Sequence, residues 1–180
     1  MIDDFEGPEN DVADFDTVET MLRGTRDRDS EEMIAFRRFF DQSTQAQYFT
    51  ADEFLVLGPS NSNPSSACHD KNSIAPENLW PNVVPLVAAM DAIREKLGHS
   101  VRITNCYRAS PYNTCVGGVT SSQHLNFKAA DFICSGGTSG DWAEAAMAVR
   151  RDGVFKGGVG IYGSFVHVDV RGSNANWDNR

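Results

Sequence analysis

Residues 165–170 read FVHVDV, and this alternation constrains the fold more than any other stretch of the chain. Side chains two residues apart in a strand point to the same face, about 7 Å apart along it. Val166, Val168 and Val170 are therefore expected on a core face, and His167 and Asp169 together on the opposite face, flooring a polar cleft. The plain alternative for the pair is a solvated outer face, where Thr or Lys would serve as well.

The rest of the chain supplies the partners such a strand needs. VRITNCY (101–107) pairs β-branched residues with alternating polar ones, AADFIC (129–134) reads as a mostly buried strand, and GVGIY (158–162) as a strand joined to SFVHVDV by a turn near Gly163. Between them, Val83, Leu86, Val87, Met90, Ile93 and Leu97 recur at helical spacing, with Gly98 at the C-cap and Pro85 confined to the first turn. DWAEAAMAVRRDG reads as a helix with Asp141 and Glu144 as its cap and Gly153 as its stop. DSEEMIAFRRFFDQ reads as a short helix with Asp29 and Glu32 as a capping box and Met33, Phe36 and Phe40 on one face; Thr50 and Glu53 open a further helical turn. This mixed order predicts an α+β fold, a small mostly antiparallel sheet flanked by helices.

Charge divides the chain. The first 60 residues hold 15 acidic and 5 basic side chains, the remaining 120 hold 10 and 11. The acidity therefore belongs to an N-terminal segment, expected to pack on its own domain or on a partner protein. With no basic stripe to neutralise phosphates, nucleic-acid binding is not expected. No run reaches the roughly 18 apolar residues of a membrane span, and MIDDFEGPENDVADFD lacks the pattern of a signal peptide. Cys68, Cys106, Cys115 and Cys134 have no CxxC spacing; they allow three disulfide pairings or four buried thiols, and two disulfides would suit an envelope or secreted protein.

SSQHLNFKAAD (121–131) places His124 in a loop and Asp131 on the strand AADFIC, seven residues apart. Two imidazoles and one carboxylate leave Zn²⁺ an open fourth position for water, the catalytic arrangement. Spacing alone does not single out His124, Asp131 and His167, because a chain with four histidines offers several such triples. His99, after a helix-ending glycine, and His69, in a long polar loop, are expected at the surface, as is Arg171 at a strand end.

YRASPYNTCVGGVTSSQHLNFKAADF followed by GGVGIYGSFVHVDVRG resembles the zinc D-Ala-D-Ala peptidases of bacterial cell walls, and within them the small envelope and phage peptidoglycan endopeptidases. Their motif is Ser-x-His-x-x-Gly-x-Ala-x-Asp, then a later strand histidine, often His-x-Asp. Ser122, His124, Ala129 and Asp131 match the first part, and His167 and Asp169 the second. QYFTADEF resembles the family's N-terminal lead-in, so the similarity covers roughly residues 47–177 and not 1–46. The expected division is an acidic extension over 1–46, with one or two short helices, and a peptidase-like domain over 47–180 of the hedgehog/D-Ala-D-Ala peptidase fold.

The resemblance implies one zinc ion held by His124, Asp131 and His167, with Arg108 pairing with a substrate carboxylate and Ser122 binding substrate or orienting the site. Tyr162 is a candidate to polarise the scissile carbonyl, with a packing role at a strand end as the plain alternative. It implies hydrolysis of D-amino-acid-containing bonds in peptidoglycan peptides, in the cell envelope or on a phage particle. Two departures stand out. The family's glycine is Phe127, which either reshapes the loop, walls the substrate groove or joins the core. The acid often found shortly before the last ligand is absent, leaving Asp169 as general base or as a partner that orients a ligand. Those departures keep a second function open, a non-catalytic wall-binding or structural module on the same fold.

Overall fold

Two strands form at their expected limits, β2 (Ala129–Cys134) and β3 (Gly158–Tyr162), in the computed structural model, which describes residues 30–180. β1 (Val101–Asn105) begins where expected and stops two residues early, and β4 (Val166–Asp169) fills the centre of its predicted segment. These four pair antiparallel in the order β1-β2-β4-β3. A fifth strand, β5 (Ala175–Asn179), joins β3 in parallel at the sheet edge and makes the sheet mixed. Its sequence, ANWDN, alternates only Ala175 and Trp177 with polar residues, too short a pattern to announce a strand. Backbone pairing and Arg150 hold it instead: Nη1 donates to Gly157 O (2.7 Å) and Ala175 O (2.9 Å), and Nη2 to Asn176 Oδ1 (2.6 Å).

The register sorts the two faces. Ala130, Val168 and Val159 align across three strands and enter the core, as do Phe132 and Val166 beside them. One residue out of phase, Asp131, His167, Gly160 and Trp177 align on the opposite face. The fold is thus α+β, with the valines of FVHVDV turned to the core and the His-Asp pair turned away from it.

Six α-helices surround the sheet among the described residues. They are α1 (Glu31–Ser43), α2 (Ala51–Phe54), α3 (Pro59–Ser62), α4 (Val83–Leu97), α5 (Ser110–Cys115) and α6 (Ser139–Arg151). α4 and α6 pack on each other and on the sheet. α4 has Pro85 in its first turn and ends on Gly98 in the left-handed region (φ 64°). α2 carries the expected Thr50–Glu53 capping box. Two caps differ from expectation. α1 is capped by Ser30, whose hydroxyl accepts from Met33 N, and Asp29 lies outside the described residues. α6 is capped by Thr138 in a reciprocal pair with Asp141, while Glu144 meets Arg151 at the surface. In α6 the hydroxyl of Thr138 reaches the orphan N–H of Asp141, and the Asp141 carboxylate accepts from Thr138 N in return.

α1 buries Met33, Phe36 and Phe40 in the same core as Trp80 and Phe127. Cys68 and Cys115 form a disulfide, whereas Cys106 and Cys134 are buried thiols. The disulfide closes a span of 47 residues and ties the loop after α3 to α5. Cross-linking a span of that length stabilises a fold by about 2–4 kcal/mol. A Cys68→Ser/Cys115→Ser double variant is expected to lose that amount in urea titration, with a steeper transition because the unfolded chain is no longer cross-linked. Among the described residues no helix is long and apolar enough to cross a membrane.

Candidate metal centre

β2 and β4 are direct neighbours, and Asp131 sits opposite His167 in the register. The loop entering β2 adds the third group. Ser122 caps a 3-10 turn, Gln123–Asn126, its hydroxyl accepting from His124 N (3.4 Å). The turn lays the His124 imidazole over the strand pair. Three atoms then converge: His124 Nε2, His167 Nδ1 and Asp131 Oδ1. The two imidazole nitrogens are 3.1 Å apart, and the carboxylate oxygen is 3.1 Å from His124 and 2.9 Å from His167.

The outer partners assign the tautomers. His124 Nδ1 lies 2.5 Å from Cys106 O, a carbonyl that can only accept, so Nδ1 carries the proton and Nε2 a lone pair. His167 Nε2 lies 3.1 Å from Asp169 Oδ2. Burial alone would raise the Asp169 carboxyl. Hydrogen bonds from His167, Arg171 and Gly158 N–H outweigh it and hold the group well below the usual carboxylate range. Asp169 is therefore an anion, His167 Nε2 donates to it, and Nδ1 holds a lone pair. With both rings neutral, two lone pairs and a carboxylate oxygen face one another. A cation at their centre removes that repulsion. Bonds of 2.0–2.1 Å to a tetrahedral Zn²⁺ put ligand atoms roughly 3.3 Å apart, close to the spacings here. The residues present fit a zinc ion.

Arg108 is turned inward. Its Nη2 donates to Asp131 Oδ2 at 2.5 Å, its backbone N donates to His124 O at 3.2 Å, and the residue is 3% exposed. It engages the metal-facing carboxylate rather than reaching outward towards the carboxylate of a substrate. Ser122 is 2% exposed and acts here on the His124 turn. Tyr162 is buried, stacked on Phe165 with ring centroids 4.2 Å apart, and its hydroxyl accepts from Trp177 Nε1 at 3.0 Å. His167 and Asp169 are themselves buried, so the face expected to floor an open cleft is covered. The His124 turn, Arg171 and Trp177 lie against it. His99 is exposed as expected, whereas His69 is half-buried, with Nδ1 donating to Asn61 O.

Phe127 resolves the glycine departure. Its φ is 56°, the left-handed conformation for which glycine is favoured, so the backbone keeps that shape with a phenylalanine in it. Its ring is fully buried, 5.7 Å from Phe36 and 6.1 Å from Tyr107. Phe127 is a core residue, and its packing against α1 holds the strained position.

Two residues escaped sequence reasoning. Arg171 grips Asp169 with both arms of its guanidinium, Nε to Oδ1 at 2.8 Å and Nη2 to Oδ2 at 2.6 Å. The signal was present, since Arg171 stands two residues beyond Asp169. Trp177 lies 5.3 Å from the His167 ring, under the Arg171 guanidinium at 5.5 Å. Gly158 and Gly160 make the room for it, because a Cβ at Gly160 would come within 2.3 Å of the indole. Cys106 is not among the ligand atoms that converge here, and burial and the Asp131 charge push its thiol up.

A family model described as Peptidase M15 matches residues 47–169. The matched span takes in Arg108, Ser122, His124, Asp131, Tyr162, His167 and Asp169, and leaves out α1, Arg171 and Trp177. No curated protein and no solved structure matches the chain.

Proposed function

Because this chain belongs to the peptidase M15 family, and is thereby a metallopeptidase, we propose that it hydrolyses D-amino-acid-containing bonds in peptidoglycan stem peptides or cross-links. The observation that carries the zinc-dependent reading is the convergence of His124 Nε2, His167 Nδ1 and Asp131 Oδ1, each within 3.1 Å of the other two. We assign His124, Asp131 and His167 as the ligands of one Zn²⁺. Bound there, zinc lowers the pKa of its water towards about 7 and polarises a carbonyl oxygen.

The chain's own groups divide the remaining work. Cys106 O and Asp169 keep the two ring protons on the far side of the imidazoles, which leaves the lone pairs facing the ion. Of the two roles open to Asp169, the orienting one is favoured: it is fully buried and gripped by Arg171, so it is a poor acceptor for a proton from the reaction. Arg108 holds Asp131 and, as it stands, is turned away from a substrate carboxylate. Ser122 sets the His124 turn, and Tyr162 supports Trp177 beside His167.

The domain division proposed is a peptidase-like unit over 47–180 and an acidic N-terminal extension over 1–46 whose helix α1 docks on that unit. A disulfide is stable in oxidising compartments, which supports a place in the cell envelope or on a phage particle.

Purified protein incubated with muropeptides is expected to cleave them, to lose activity on chelation and to recover it with one equivalent of zinc. Intact muropeptides after incubation with fully zinc-loaded protein would sink the peptidase reading. One observation favours a non-catalytic wall-binding module instead: Arg108, Ser122, His124, Asp131, His167 and Asp169 are all at most 3% exposed. Such a module would bind sacculi, leave them intact, and be indifferent to Asp169→Asn.

A further inference from the structure

The loop between α3 and the Glu77–Asn82 turn takes no part in the metal centre, yet one of its side chains reaches the backbone on both sides of Arg108. Asn72 Oδ1 accepts from Ala109 N at 2.7 Å, and Asn72 Nδ2 donates to Tyr107 O at 3.0 Å and to Leu57 O at 2.9 Å. Asn72 is itself fixed. Its backbone N donates to Asn61 Oδ1 at 2.6 Å, and Asn61, 4% exposed, accepts at its carbonyl from His69 Nδ1 at 2.7 Å. The Cys68–Cys115 disulfide ties the same loop to α5, which begins two residues after Arg108.

We propose that Asn72 is a positioning residue for the metal centre: it clamps the backbone on both flanks of Arg108 and so sets the direction from which Arg108 holds Asp131. A carboxamide suits this task because the two flanks offer opposite groups, one N–H and one carbonyl, and Asn presents an acceptor and a donor at once. The consequence runs inward. The backbone of residue 108 donates to His124 O, and its guanidinium donates to Asp131 Oδ2, so both ends of Arg108 touch ligand residues. Freeing the peptide groups around Arg108 loosens two of the three ligands without removing any charge from the site.

The inference rests on the zinc-peptidase reading, and zinc binding by the full chain tests it apart from activity. Competition with a chromophoric chelator is expected to show Asn72→Ala binding Zn²⁺ about tenfold more weakly, the lower end of what outer partners of metal ligands contribute. With muropeptide substrate, kcat is expected to fall by about the same factor and KM to stay within about twofold, because the clamp touches ligands rather than substrate. In an Arg108→Ala background the same substitution is expected to cost clearly less zinc affinity, since only the backbone link from residue 108 to His124 O then remains to be held. Asn72→Asp keeps the acceptor for Ala109 N and loses both donors, and supplies the same cycle should the alanine variant not fold. Wild-type zinc affinity in both Asn72 variants overturns the proposal. So does an undiminished loss in the Arg108→Ala background, or a failure of both variants to fold, which would make Asn72 a general tie of the loop. If wild-type protein binds zinc but cleaves no muropeptide, the peptidase reading fails while the affinity cycle still decides the clamp.

Discussion

Asp131→Asn is expected to yield a folded protein that neither holds zinc nor cleaves peptide. The carboxamide has the shape of the carboxylate, so its oxygen can still accept from Arg108 Nη2, and its NH₂ then points at the two imidazole lone pairs that Asp131 Oδ1 now faces. In the metal-free protein this replaces three mutually repelling acceptors with a donor between two acceptors. The same change leaves the buried Arg108 guanidinium without its anion, so the variant is expected to unfold below metal-free wild type. Zinc binding is lost as well, since the anionic ligand is gone and the lone pairs are occupied. Losing the metal's several kcal/mol of charge stabilisation corresponds to a fall in turnover of at least about 10³-fold. Metal analysis after dialysis and a thermal scan decide it. A variant that keeps one equivalent of zinc shows that Asp131 is not a ligand.

Phe36→Ala is the second large effect, and it acts on the fold. Phe36 is fully buried and meets four other rings, Phe39, Phe40, Trp80 and Phe127, at centroid distances of 5.4–6.3 Å. Truncating such a ring costs about 3–5 kcal/mol, against a total stability of roughly 5–15 kcal/mol for a domain. In a chain of this length that is a fall of roughly 6–20 °C in Tm. The site should feel it too, because Phe127 leans on Phe36 while holding a left-handed backbone three residues after His124. A loss under about 1 kcal/mol, small beside the cost of an ordinary core truncation, would mean that α1 lies outside the cooperative unit and that residue 46 is a folding boundary. The larger loss would make α1 part of that unit, although the family match begins only at residue 47.

The metal centre was legible because its groups lie on short, patterned segments. Alternation in FVHVDV put His167 and Asp169 on one face, the resemblance joined His124 and Asp131 to His167, and the pairing of β2 with β4 brought them together. The partner of Arg108 was not legible. Its guanidinium can turn towards either a substrate or Asp131, and only the path of the chain through Tyr107 and Ala109 sets the direction. Phe127 illustrates the same limit from the other side. A glycine position foretells a left-handed backbone, but only the presence of α1 explains how a phenylalanine occupies it.

Local periodicity and chemistry by themselves determined the α+β class, the strands β2 and β3, the helix ending at Gly98, and a His-Asp-His set matched to a zinc peptidase motif. These rest on interactions within a few residues, or on side-chain alternation that a strand imposes. Tertiary structure alone decided the rest. Which cysteines pair depends on which loops meet, and four cysteines carry no local mark of that. β5 is a polar edge strand whose order comes from the β3 backbone and Arg150, both distant in sequence. The grip of Arg171 on Asp169, the seat of Trp177 over two glycines and the reach of Asn72 to both flanks of Arg108 are contacts of the folded chain. They order groups whose own residue types would be equally at home on the surface.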